Sequence, residues 1–231
     1  MLGKSLISKC YYALTCLFVR HTILSFSGLA FILVPGSYIS AELQDDLLRE
    51  GIVIVTAYQG NVPVNRGSGI VVQADTSKAY VLTNSLIIRG ADTITINDPF
   101  SGGELVVRIL HNDPATDIAL LEVGGLNAEV IEFSHQLPEA GDLIWSAMNV
   151  DNVIQISSGV LQSRSKGDDS FGLISHTAAQ GNGSVLLNEC GQVVGFNSMN
   201  ADMLAAHQAI DTQSLQRILR GQGIRASVAA S

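Results

Sequence analysis

Gln180-Gly-Asn-Gly-Ser-Val-Leu-Leu-Asn188 is followed by Glu189-Cys-Gly-Gln192 and then by the apolar run Val193-Val-Gly-Phe-Asn197. A tight Gly/Asn/Ser turn, a short apolar strand, a Gly-containing reversal and a second apolar strand spell a β-hairpin. Its entrance, Gln180 to Ser184, is a loop of small and polar residues that leaves backbone amides exposed. The rest of the chain has the same texture. Its 22 glycines and many short Val/Ile/Leu runs between turn residues predict a β-rich fold, and helical periodicity is scarce.

The 231 residues, 47% of them hydrophobic, suffice for one large core or two small ones. Three of the 13 basic residues, Lys4, Lys9 and Arg20, fall before Ala41, whereas none of the 21 acidic residues does. The remainder therefore carries a formal charge of −11. Nucleic acid is not expected as a partner, because phosphate binding needs concentrated Lys and Arg. Cys10 and Cys16 lie in the N-terminal segment and leave Cys190 by itself, so it reads as an incidental thiol in the hairpin turn.

Residues 1 to 21 are basic and partly apolar, and 22 to 35 form an uncharged run of signal-peptide length. A Pro-Gly break and Ser37-Tyr-Ile-Ser-Ala41 offer a cleavage site after Ala41. Alternatively, an uncleaved segment within residues 11 to 35 anchors the chain in a membrane. Both readings make the protein exported, periplasmic or secreted, with residues 1–41 as leader and 42–231 as the folded domain.

Along that domain, Leu43, Leu47 and Leu48 fit a short helix before the buried strand Gly51 to Tyr58. Gln59 to Arg66 reads as a polar connection, and strands follow at Gly67 to Val72, Ala79 to Asn84, Thr93 to Asn97, Glu104 to Leu110 and Asp117 to Val123. Thr93-Ile-Thr-Ile-Asn97 alternates as a half-exposed strand should. The second half repeats the style, with strands at 141–147 and 153–163, the hairpin, Leu204 to Ile210, and a helix from Thr212 to Arg220. Two sets of about six strands predict an all-β double six-stranded β-barrel, roughly 50–130 and 135–220, with a short C-terminal helix.

Several of these segments resemble, in order, the trypsin-like serine proteases of the HtrA type. Gly67-Ser-Gly-Ile-Val-Val72 resembles that family's first-barrel strand, Thr83-Asn84 the start of its TN-x-HVV motif, and Gly90-Ala-Asp92 the GA-D that follows. Asp113-Pro-Ala-Thr-Asp-Ile-Ala-Leu-Leu121 resembles DP-x-TD-x-ALL, and Gly191 to Asn197 resembles G-x-VVGIN. Several short motifs in one order are more specific than any one of them. The resemblance implies the trypsin/chymotrypsin fold, and a chain ending at Ser231 implies a member without the PDZ domain that such enzymes often carry.

The family's chemistry needs a hydroxyl nucleophile, an imidazole base, a carboxylate to orient it and backbone N–H groups for the oxyanion. Laid on the motifs, Leu86 stands where the histidine belongs, and Asp117 keeps the carboxylate position. Counting back from Leu186-Leu187-Asn188 puts Asn182 at the serine, whereas anchoring on Gly181-Asn182 puts Gly183 there. Neither register supplies a serine. Ser184 is the nearest hydroxyl and His176, just before the loop, the one histidine placed to serve it. His21 is in the leader, His111 and His135 lie in polar stretches, and His207 is near the last strand.

No CxxC pair, HExxH, Walker loop or dinucleotide fingerprint is present, so no metal or cofactor is expected. Asp168-Asp169 reads as a solvated turn. The expectation is an exported, inactive trypsin-like domain that binds another protein or an extended peptide. Two alternatives stand beside it: an active serine endopeptidase using Ser184 and His176, and a structural subunit of a membrane-associated envelope complex tethered through residues 11 to 35.

Overall fold

The computed structural model describes residues 47–165, 171–198 and 207–230. The leader with its alternative cleavage or anchoring, the turn at Asp168-Asp169 and the start of the last strand at Leu204 lie outside them. Twelve strands form two closed antiparallel barrels, ordered β1-β2-β3-β6-β5-β4 and β10-β11-β12-β9-β8-β7. The double six-stranded architecture expected from the spacing of the apolar runs is the one observed.

The first barrel comprises β1 (Ile52–Gln59), β2 (Val62–Ala74), β3 (Lys78–Thr83), β4 (Thr93–Asn97), β5 (Glu104–Asp113) and β6 (Ile118–Gly124). Its central strands are buried on both faces, which is why they read as continuous apolar runs. On β1 and β6, Val53, Val55, Ala119, Leu121 and Val123 fill the barrel, while Ile52, Ile118 and Leu120 point outward into a core shared with the second barrel. The second barrel comprises β7 (Leu143–Val150), β8 (Val153–Ser165), β9 (Leu173–His176), β10 (Val185–Leu187), β11 (Val193–Asn197) and β12 (His207–Asp211). Ile144, Leu161, Ile174, Leu186, Val194 and Ala209 fill it. The opposite faces of β10, β11 and β12 give Val185, Leu187, Val193, Phe196 and Ile210 to the shared core.

Residues 47–51 are helical ahead of β1, and two further helices are labelled here, the one-turn α1 (Ser85–Ile88) and α2 (Thr212–Gly221). Asp211 caps α2, its carboxylate accepting from the Ser214 amide at 2.8 Å, and so satisfies one otherwise orphaned donor. Leu215 and Leu219 then fall one turn apart on the face that seals the shared core, with Ile218 at its margin.

Three local expectations change. Val62 to Arg66 belongs to β2 and is not a connection, because Gly60 at φ 58° closes a two-residue turn that pairs Gln59 with Val62. His111 lies within β5, carried past a register shift between Ile109 and His111. The outer face of β4 is covered, with Thr95 buried under Glu104, which accepts from both its hydroxyl and that of Tyr58.

The barrels meet through polar groups as well as apolar ones. Asn149 at the end of β7 donates its side-chain amide to the Ile52 carbonyl at 2.8 Å, and its backbone N–H to Ser68 Oγ at 2.8 Å. Arg66 pairs with Asp151 across the same junction. These contacts fix β2 of one barrel against β7 of the other, and the loop before β10 sits at that seam.

Candidate functional site

Leu86, Asp117 and Asn182 arrive at the seam from three separate segments. Thr83 ends β3, and Asn84, extended at φ −80° and ψ 141°, redirects the chain into α1, which carries Leu86 half-buried. Asp117 precedes β6 in a left-handed conformation, φ 57°, that a short polar side chain tolerates. Its carboxylate turns back onto α1 and accepts a hydrogen bond from the Leu86 backbone N–H at 2.8 Å, while its carbonyl accepts from the Ser85 N–H at 3.2 Å. The carboxylate of the DP-x-TD-like motif is therefore aimed at residue 86. That residue offers an isobutyl group, which neither accepts nor relays a proton.

The loop from Gln180 to Ser184 is held by a dense set of hydrogen bonds. The Ser68 N–H donates to the Asn182 carbonyl at 2.9 Å. The Gly183 N–H donates to Asn84 Oδ1. The Ser184 N–H donates to the Gly181 carbonyl at 3.1 Å, and Ser184 Oγ donates to that same carbonyl at 2.8 Å. Gly183 has φ 78°, and a Cβ there would overlap the Ser68 carbonyl. No side chain fits at 183, so of the two alignment registers only the one that uses 182 can present a side chain. Asn182 is exposed, with its own Cβ close to the space above Gly67 and hence beside Ile87 of α1.

Ser184 and His176 lie elsewhere. Ser184 is fully buried, and its hydroxyl also accepts from the Gly181 N–H at 3.0 Å and from Asn197 Nδ2 at 2.8 Å. One donor and two acceptor sites are all a hydroxyl possesses, and each is occupied. His176 is buried on β9, its Nε2 2.8 Å from Asn197 Oδ1. The Asn197 amide thus stands between imidazole and hydroxyl, which share no direct hydrogen bond. Burial pushes the His176 imidazole below its ordinary value; the Asn197 bond opposes that shift and the neighbouring His207 adds to it. The two rings pack edge-to-face, 5.8 Å between centroids, and His207 Nδ1 lies 2.7 Å from the Ala178 carbonyl. His111 is half-buried and His135 exposed, and neither hydrogen-bonds to the loop.

Two residues that the motifs contain but that were given no role organise the site. Asn84, fully buried, donates Nδ2 to the carbonyls of Asp117 (3.1 Å) and Asn197 (2.9 Å) while its Oδ1 takes the Gly183 N–H. One amide thereby joins α1, the Asp117 turn, β11 and the loop. Asn197 does the same inside the second barrel, reaching His176, Ser184 and Ser146. Both are amides at the ends of apolar strands, a pattern that marks a buried polar group needing partners. Cys190 is disulfide-bonded, not the incidental thiol expected, and its partner lies outside the described residues. Among the described residues no group of three or more His, Cys, Asp or Glu is arranged to hold a metal ion. No described helix is long and apolar enough to cross a membrane.

The chain is 28% identical over 149 residues to the serine protease Do-like HtrA of Bacillus subtilis, covering 58% of this chain and 33% of that protein. It is 35% identical over 144 residues to a probable periplasmic serine protease do/HhoA-like of Haemophilus influenzae, covering 57% and 30%. The chain thus spans about a third of the length of these relatives. Among solved structures, the serine endoprotease from Yersinia pestis matches with TM-score 0.65 at 22% identity, over 82% of this chain and 67% of that one. The active form of the Rv3671c protease from M. tuberculosis matches with TM-score 0.65 at 16% identity, over 89% and 96%. At these identities the structural likeness speaks for the double-barrel fold. The model of the trypsin-like peptidase domain matches residues 67–196, more than half of the sequence, and this chain belongs to that family as an HtrA-type domain.

Proposed function

We propose that this chain is an exported HtrA-type domain that has lost peptide-bond chemistry and acts by binding another protein or an extended peptide. The observation that carries the reading is the pair Asp117 and Leu86: the orienting carboxylate is in place and meets a hydrocarbon where the base would stand. Asn182 at the loop position next to α1 is a second and independent departure, since a carboxamide is not a nucleophile at neutral pH. Without base and nucleophile the family's acyl chemistry has no proton acceptor and no attacking group, and the Gly181, Gly183 and Ser184 amides of the loop are committed within the protein, so binding by the barrel surface is the function left. Export rests on the basic and apolar leader and on relatives named as periplasmic proteases.

The purified protein is incubated with casein and with a fluorophosphonate probe that traps activated serines. No cleavage and no labelling are expected, together with binding to a subset of an array of extended peptides. Labelling that disappears in a folded Ser184→Ala variant would overturn the reading in favour of a rearranged hydrolase.

A further inference from the structure

The second barrel is closed, but β8 extends past its pairing with β9 and leaves part of one strand edge uncovered. Val160 on β8 accepts from the Thr177 N–H at 3.1 Å and donates to Thr177 Oγ1 at 2.9 Å, so its backbone faces away from β7. Leu161 exchanges bonds with Gly141 and Asp142, on the side that leads into β7. Backbone polar groups alternate along a strand, so Ile154, Ile156 and Ser158 share the outward direction of Val160. β9 pairs only with Leu161 to Ser165 of β8. Among the described residues no strand continues the ladder beside 153–159 on that side.

Exposed edges are normally guarded by charge, proline or a bulge. Residues 152 to 163 contain no charged residue and no proline, and the described register with β7 runs unbroken from Val153 to Val160. Ile156 is 52% exposed and sits on the same face as the cross-strand pair Leu143 and Val160, exposed by 60% and 38%. An apolar, unguarded edge with outward donors and acceptors is built to be paired.

We propose that this edge of β8 is a self-association surface, where two copies of the chain pair antiparallel about a two-fold axis beside Ile156. Ile156 is the middle one of the outward-facing residues Ile154, Ile156 and Ser158, and the segment Thr177 to Ala179 packs on Ser157, Gly159 and Val160 beyond it. Antiparallel pairing sets Ile156 against Ile156 of the second copy and Ile154 against its Ser158, so every outward N–H and C=O meets a complement in an isologous contact. A neutral strand also lets two acidic copies approach without like charges facing each other, whereas it offers no countercharge to a charged partner. A contact of one short strand per copy falls at the small end of specific interfaces, below about 1,200 Å² in total, so the dimer forms in a concentration-dependent way.

Two experiments on the full chain test this. Ile156→Cys is expected to give a disulfide-linked dimer on non-reducing gels, because opposed residues of a hydrogen-bonded antiparallel pair sit about 5.5 Å apart at Cα, within disulfide reach. Val106→Cys, at an apolar site 70% exposed on the first barrel, and the unsubstituted chain are the controls and should stay uncrosslinked. In sedimentation velocity over a wide concentration range, Ile156→Lys and Ile156→Pro are expected to shift the chain to monomer. Both leave the β7 ladder intact, since the 156 N–H points away from it, and Ile156→Lys carries the test if the proline variant does not fold. Equal crosslinking at 156 and 106, a monomer at every concentration, or a dimer indifferent to Ile156→Lys overturns the proposal.

Discussion

The carboxylate of Asp117 receives the backbone N–H of Leu86 at 2.8 Å, so a group expected to orient an imidazole instead pins a helical turn. If that is its role, Asp117→Asn keeps an acceptor and the tolerated left-handed backbone, while Asp117→Ala loses the acceptor and strains φ 57°. Asp117→Ala is expected to cost about 1–3 kcal/mol by chemical denaturation and Asp117→Asn clearly less. Equal losses would mean that the charge, and not the hydrogen bond, matters.

Gly183 is the tightest point of the loop. Its backbone stands at φ 78° with the Ser68 carbonyl where a side chain would begin, and its N–H is held by Asn84. Gly183→Ala has to push apart the loop and β2, which form the seam between the barrels. A loss above about 4 kcal/mol, or failure to fold, is expected in a thermal melt. Gly60→Ala, also at positive φ but with open space around it, should cost only about 1 kcal/mol and serves as the control for backbone strain alone.

Ser184→Ala separates a structural hydroxyl from a catalytic one. Its oxygen serves Gly181 twice and Asn197 once in a fully buried setting. Removing it leaves the Asn197 amide and the Gly181 N–H short of an acceptor, and about 1–3 kcal/mol of stability should go with it. Unchanged stability with a lost activity would contradict the buried-hub role.

The barrels were legible because their strands are apolar on both faces or alternate, and because glycines and short polar turns punctuate them. Asp113 to Leu121 placed β6 and its preceding turn, and Leu215, Ile218 and Leu219 placed α2. Val62 to Arg66 was not legible, because its five exposed residues carry no burial signal and owe their strand to pairing with β1. The positions of Leu86, Asp117 and Asn182 followed from motifs, but the roles of Asn84 and Asn197 did not. An amide hub is defined by partners up to 113 residues away, as between Asn84 and Asn197; its place at the end of an apolar strand marks a buried amide but not what it binds.

Asn182-Gly183 is a sequence prone to self-modification: the glycine nitrogen attacks Asn182 Cγ, ammonia leaves, and water opens the resulting imide to aspartate or isoaspartate. Here the Gly183 N–H is committed to Asn84 Oδ1 inside a buried contact, which withholds the attacking nitrogen. Asn84→Ala frees it. Intact-mass and peptide analysis after incubation at mildly alkaline pH, below the melting temperature, should show faster deamidation at 182 in the variant than in the unsubstituted chain. Equal rates would show that Asn84 is not the protecting group.

His176 gives the fold a defined response to acid. Burial holds its folded-state value below the ordinary 6.5, opposed by the bond to Asn197 and reinforced by the neighbouring His207. From about one pH unit above 6.5 upward the imidazole is neutral in both states and costs nothing. As pH falls below that value the unfolded chain binds the proton first, so unfolding is favoured, and the loss continues until the folded imidazole also protonates and the curve levels. His176→Gln keeps a donor for Asn197 Oδ1 without a titrating ring. Denaturation midpoints of the two proteins, followed from about pH 7.5 to about pH 4.5, should converge or cross as the unsubstituted chain loses stability faster. Parallel curves would place the titration elsewhere, among carboxylates that both proteins share.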